Sequence, residues 1–336
     1  MCLDERLSSL IFLFNGIAEF NLIFGLIILI PMRRSLNFFI LAFTLLLSPE
    51  SFSQGVDSIP FKWQADIPSV CGQNVMTMQE DVLDRNHLYV ASKEGGLKVY
   101  NISDIGKPQL VKQFEKDSFN NLSVMNIHQQ DSFLYLSLGD YFDTKQPPGM
   151  AIVDIRNLNN LKLSDQWEFV TKTEGAGMIV THGDYAYIAA MAHGLIVLNI
   201  SDKSDIKLES QLVPDVDFPQ KNADLTKVNA RGLVYRDGLV YLAYDAGGLR
   251  IIDVADPKSP KERGKYSNPL LNGKPRAYNN VALHKNHIYI TFDYCGMEVL
   301  DVSDTSDIKL TSWWNPWGCP NINWFTSRGH TNEIAI

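Results

Sequence analysis

Cysteine is scarce in this chain: four residues in 336 cannot frame a disulfide-built scaffold. Basic runs are missing as well, and 30 Lys plus Arg stand against 38 Asp plus Glu, a formal charge of −8. That balance gives no footprint for a phosphate backbone and argues against nucleic acid as a partner. No His-x-His or Glu-x-x-His spacing marks a metal site, and no histidine stands beside a cysteine in a nucleophile motif. The expectation is a chain with no catalytic residue and no resident metal. With 45% hydrophobic and 20% charged residues, disorder and collagen-like structure are excluded too.

Long apolar runs occur only at the start. Leu7 to Ile30 and Leu36 to Leu47 flank Pro31-Met32-Arg33-Arg34. Two arginines, twelve apolar-rich residues, a Ser48-Pro49 breaker and small residues at Ser51 and Ser53 predict a signal peptide over 32–53, cleaved after Ser53. The second run is too short for a bilayer that needs about 20 apolar residues. The first is long enough but carries Asn15, Glu19 and Asn21, and a carboxylate at mid-membrane depth is costly. Residues 1–31 therefore read either as a start set too far upstream of Met32 or as a membrane anchor. Both readings send residues 54–336 out of the cytoplasm, to be secreted, periplasmic or held at the cell surface.

What fills the rest of the chain is repetition. GGLKVYNISD from Gly95, PGMAIVDIRN from Pro148, HGLIVLNISD from His193, GGLRIIDVAD from Gly247 and CGMEVLDVSD from Cys295 align. Their second-position glycines, 96, 149, 194, 248 and 296, are 53, 45, 54 and 48 residues apart. Runs of five or six residues, rich in β-branched side chains and bounded by Gly and Asx, are strands. Each follows a strand with an apolar-Tyr-apolar centre, at Tyr89, Tyr135, Tyr187, Tyr241 and Tyr289. A short apolar strand precedes that pair and a fourth strand follows it. Four antiparallel strands in about 50 residues, repeated, predict an all-β fold of β-propeller blades. The strands are called A to D from the axis outward.

Turn chemistry accounts for the shared residues. Gly lets the B–C connection turn sharply, and the paired Asx residues (Asn101 and Asp104, Asp154 and Asn157, Asn199 and Asp202, Asp253 and Asp256, Asp301 and Asp304) suit Asx-turns closing the C–D hairpin. They need no calcium to explain them. The segments AIVDI, LIVLN, LRIID and MEVLD, each followed by a small residue and Asx, resemble the LVIVD-repeat family over roughly residues 87 to 312. The resemblance implies an extracytoplasmic propeller with a binding or scaffolding role and says almost nothing about activity.

Five complete blades are expected, with partial strands at both ends: Phe61 to Ile67 as a lone D strand and Gly329 to Ile336 as a lone A strand. The missing B and C strands of that last blade suggest truncation of one or two blades, with a compact five-bladed closure as the alternative. Chain direction puts the D–A and B–C connections on one face, where Cys71, Cys295 and Cys319 all fall. Cys295 and Cys319 flank one blade and are the best candidates for a bridge; three free thiols are the alternative.

A ligand is expected on that same face. Arg231, Arg276, Arg328 and His330 are candidate ligand-binding residues, with the arginines able either to clamp an anion or to bridge blades through carbonyls or acids. The segment Trp313 to Phe325 holds four of the six tryptophans and is a candidate protein-docking or sugar-stacking surface, with Trp317 and Trp324 as its anchors; sealing of the loop is the competing role. His128, His182 and His284 fall near A–B turns and read as packing or turn residues. The leading functional expectation is a non-catalytic module for a protein or carbohydrate, touching membrane only through a residue 1–31 anchor. The alternative is a calcium-dependent hydrolase of lactonase or esterase type, with Asn121, Glu174, Asn229 and Asn280 around an axial metal.

Overall fold

Short alternating runs closed by Gly and Asx form twenty strands in the computed structural model, which describes residues 74–141, 146–171, 173–221 and 223–321, with 331, 332 and 334. Residues 1–73, and with them the leader, the Phe61 to Ile67 strand and Cys71, lie outside the described residues. So do Trp324, Arg328, His330 and most of Gly329 to Ile336. No helix among the described residues is long and apolar enough to cross a membrane.

Five four-stranded antiparallel sheets follow one another, each in simple chain order. The first holds β1 (Thr77–Glu80), β2 (His87–Ala91), β3 (Leu97–Asn101) and β4 (Gln109–Phe114). The second holds β5 (Val124–Gln130), β6 (Phe133–Leu138), β7 (Gly149–Asp154) and β8 (Lys162–Glu168). In the third are β9 (Ile179–His182), β10 (Tyr185–Ala189), β11 (Leu195–Asn199) and β12 (Lys207–Leu212). The fourth contains β13 (Leu233–Arg236), β14 (Leu239–Ala243), β15 (Leu249–Asp253) and β16 (Lys261–Tyr266). The fifth contains β17 (Tyr278–His284), β18 (His287–Phe292), β19 (Gly296–Asp301) and β20 (Lys309–Trp314).

Period-two alternation decides what each sheet packs against. In the second blade Leu134, Leu136, Ala151 and Val153 join the core shared with the first blade, whereas Tyr135, Met150 and Ile152 join the core shared with the third. Four apolar clusters thus fill the four interfaces between five blades. The central tyrosine of strand B always faces the following blade: Tyr89, Tyr135, Tyr187 and Tyr241 each sit in the core on that side.

The expected turn chemistry is present at every repeat. Each of the ten paired Asx side chains accepts the backbone N–H two residues on, at 2.9–3.1 Å. Gly248 adopts φ +81°, and a Cβ there would stand 2.1 Å from the Tyr266 carbonyl oxygen at the end of strand D. Gly is therefore needed twice over, for its backbone angle and for close approach of the D strand.

Candidate functional site

On the face of the D–A and B–C connections, the B–C turns of the first, third and fourth blades reach the start of the next A strand. Lys93 bridges Val124, Met191 bridges Ala230 and Asp245 bridges Tyr278. All three B–C residues take positive φ, 43° to 48°. The residue after the bridged one therefore stands beside a B–C turn of its own blade. In the fourth blade it is Arg231, which donates Nε and Nη2 to Asp245 Oδ2 at 3.1 and 3.0 Å. In the fifth it is Asn279, which donates Nδ2 to Asp293 Oδ1 at 2.8 Å. Asp245 and Asp293 occupy the same place, three residues before Gly248 and Gly296.

Burial raises the Asp245 carboxyl above the ordinary aspartate range, against the pull of Arg231 and the Asn229 amide 3.3 Å away. Arg231 keeps 29% of its side chain exposed and has no hydrogen bond at Nη1 among the described residues, so it retains a free donor edge. Arg276 does not. It is buried, donates Nε to Ala246 O and Nη1 to Leu271 O at 2.7 Å each, and ties two loops together. These two bonds are of the carbonyl-bridging kind that the sequence left open beside the anion clamp.

Two residues of the axial-metal alternative have local side-chain partners. Asn229 donates Nδ2 to Thr226 O, and Asn280 Oδ1 accepts the Val281 N–H at 2.8 Å. Asn121 lies exposed at φ 64°, and Glu174 stands at φ 44° with Oε2 buried and unpartnered. Of the three histidines, His182 stacks on Tyr235 at 4.4 Å and burial holds His128 below the usual imidazole range, consistent with packing roles.

Beside Asp293, a disulfide joins Cys295 in the B–C turn to Cys319 in the loop after strand D, with Cα atoms 5.1 Å apart. The Asn315 side chain clamps that loop, donating to Cys319 O at 2.6 Å and accepting the Cys319 N–H at 2.9 Å. Two tryptophans end strand D on opposite sides. Trp313 is turned inward: it stacks on Phe292 at 6.1 Å and donates Nε1 to Cys295 O. Trp314 is turned outward, 48% exposed, and meets Trp317 edge to face at 5.7 Å. The segment thus divides between sealing and display.

Three buried charges escaped the sequence reading. The second residue after the turn glycine in strand C faces the preceding blade, where Ala151 and Ile196 are apolar. Lys98, Arg250 and Glu298 occupy the same place in their blades and are fully buried. Arg250 bonds Glu262 Oε1 at 2.7 Å and Phe218 O at 2.8 Å, lying over the Phe218 and Tyr244 rings. Glu298 accepts from the Asn268 amide and from Tyr278 Oη at 3.2 Å. Burial pushes its carboxyl up to about 7 in spite of those two donors. The aligned repeats hold Lys, Ala, Ile, Arg and Glu at this position, so no apolar column marks it as buried.

A family model described as LVIVD repeat matches residues 82–115, 175–212, 229–268 and 275–315. The chain carries four LVIVD repeats. The matched segments cover the third, fourth and fifth blades of this LVIVD-repeat chain and the first from β2 onward. The second lies outside them, and its B–C connection runs from Gly139 to Pro148 in place of the tight turn. No curated protein matches it. Among solved structures it is similar to the β-propeller domain of Cps50 (Swd1) from Myceliophteria thermophila, at 10% identity and a TM-score of 0.50, covering 72% of each chain. The computationally designed Ika8 protein matches at 11% identity and a TM-score of 0.46, over 69% of this chain; the LVIVD-repeat chain spans only 60% of that one. The likeness to the Cps50 domain, together with the five sheets, makes the LVIVD-repeat fold a β-propeller.

Proposed function

We propose that this LVIVD-repeat propeller is an extracytoplasmic, non-catalytic binding module that takes a protein or carbohydrate on the face of its D–A and B–C connections. The observation that carries the reading is the outward edge-to-face pair of Trp314 and Trp317. It stands on a loop closed by a disulfide and by the two Asn315 hydrogen bonds. Indole rings supply large contact area and lose little freedom on binding when the loop beneath them is fixed. Arg231 adds a free donor edge on the same face, and Trp324, Arg328 and His330 belong to the same connection by sequence.

Tryptophan fluorescence during titration with oligosaccharides and with soluble envelope proteins tests this. A binder should quench the wild-type signal, and Trp317→Ala should weaken its capture at least tenfold while the β-sheet dichroism stays intact. Equal capture by Trp314→Ala, Trp317→Ala and wild type rejects the aromatic site.

A further inference from the structure

The apolar column that joins each blade to the next recurs on the fifth blade, where it is only partly covered. In the first four blades the strand-B tyrosines Tyr89, Tyr135, Tyr187 and Tyr241 are at most 2% exposed, whereas Tyr289 is half-buried. The strand-C residues beside them behave alike: Leu97 and Val99, or Leu249 and Ile251, are fully buried, but Met297 and Val299 are half-buried. At the end of strand D, Phe114 is 8% exposed and Trp314 is 48% exposed. Register puts the fifth-blade residues on one face, with Tyr289 opposite Val299, Val299 opposite Ser312, and Met297 opposite Trp314. Tyr289, Met297, Val299 and Trp314 join none of the four apolar clusters among the described residues.

What such a face takes is visible one blade earlier. Tyr241, Leu249 and Ile251 of the fourth blade share a core with Val281 of β17 and with Ile288 and Ile290 of β18, an antiparallel pair with apolar side chains at alternate positions. The fifth-blade face continues that interface in register. Between the row of His287, Asp301 and Lys309 at one end and the B–C turn at the other, its strands present no charged side chain, so the matching surface is apolar and uncharged. Two identical copies, each of charge −8, repel one another. We infer that this face docks an amphipathic β-hairpin of another protein, stacked on the fifth blade as β17 and β18 are stacked on the fourth.

Trp314 belongs both to this face and to the aromatic loop, so the docking rests on the binding-module reading above and narrows its ligand to a protein. Trp317 lies in the loop beyond strand β20. A hairpin held equally by wild type and Trp317→Ala therefore upholds the docking face even where the aromatic site fails.

The probe is a synthetic peptide with the sequence of residues 278–292, backbone-cyclised across the Tyr278–Phe292 pair because an isolated hairpin is marginal in water. Titrated calorimetrically into the full chain, it should bind once per chain, and Ser312→Arg and Val299→Asp should each weaken binding at least tenfold. Ser312 is exposed, so its variant stays informative where Val299→Asp misfolds. A control peptide carrying Ile288→Lys and Ile290→Lys should not bind, although its added positive charge strengthens any non-specific attraction to a chain of charge −8. No binding by the wild type at about 1 mM peptide overturns the inference. So does equal binding by folded Ser312→Arg, or a wild-type dimer in sedimentation that Ser312→Arg dissolves, since a second copy would then be the occupant.

Discussion

Asn268 donates its side-chain amide to the buried carboxyl of Glu298, joining the loop before the fifth blade to the middle of strand β19. The same Asn268 side chain accepts the Leu270 N–H and caps the short 3-10 turn Pro269–Leu271, whose last carbonyl holds Arg276. Directly across the sheet from Glu298 stands Trp313. A single carboxyl therefore lies beneath both connections that flank the fifth blade.

Its titration should be visible in stability. Burial raises the folded-state value to about 7 from 4.5, so between those limits the native state holds the proton more tightly than the unfolded chain. Stability is then greatest below the unfolded value and is lost as pH rises through 7, by up to roughly 3 kcal/mol. Asp245, also raised by burial, acts in the same sense. His128 and His193, lowered by burial, act in the opposite sense, their contribution being lost as pH falls. Urea unfolding of wild type and Glu298→Gln at pH 5 and pH 8 separates these effects: wild type should lose stability relative to the variant on going to pH 8. An unchanged difference contradicts the assignment.

Two glycines with the same backbone sign should respond differently to alanine. Gly183 sits at φ +57° with nothing within 4 Å of the place an alanine methyl would take, and Gly248 sits at φ +81° with the Tyr266 carbonyl at 2.1 Å. Gly183→Ala should cost about 1 kcal/mol, the left-handed penalty alone. Gly248→Ala should cost at least about 3 kcal/mol because the D strand must move. Denaturant midpoints compare them directly; equal costs would show that close approach contributes nothing.

Removing Arg231 should leave Asp245 buried without its cation. The Arg231→Ala change is expected to destabilise by roughly 2–4 kcal/mol, and the double change with Asp245→Asn by less than the sum of the two singles. A double-mutant cycle measures this, and strict additivity would mean the pair is not coupled.

Reducing or deleting the Cys295–Cys319 bridge should loosen the aromatic loop first. A crosslink across 24 residues contributes about 3 kcal/mol in the chain-entropy account. The Cys295→Ser, Cys319→Ser variant should lose about that much, and its indole emission should shift toward that of exposed tryptophan. Unaltered emission and stability would show that the Asn315 clamp alone holds the loop.

The blades were legible because their determinants are local. Gly at a tight turn, Asx two residues before the N–H it caps and Tyr within an alternating strand each act within a few residues. The pairing of Cys295 with Cys319 followed from chain direction, which puts a B–C turn and the next D–A connection on one face. Glu298 and Arg250 were not legible, because in isolation each reads as an exposed charge in an alternating strand. Their partners, Asn268 and Phe218, come from irregular connections that no periodicity announces. A similar limit holds at Arg276: sequence marks an arginine on the ligand-side face but not the carbonyls that take up its Nε and Nη1.

Which face meets a ligand is the point on which the functional account turns, and hydrogen–deuterium exchange of the full chain with and without its captured ligand measures it. The account expects protection at 229–231, 293–296 and along the connection 313–330. Protection instead at the Asx-turns around 101–107, 154–160, 199–205, 253–259 and 301–307, with the tryptophan loop unchanged, would contradict it.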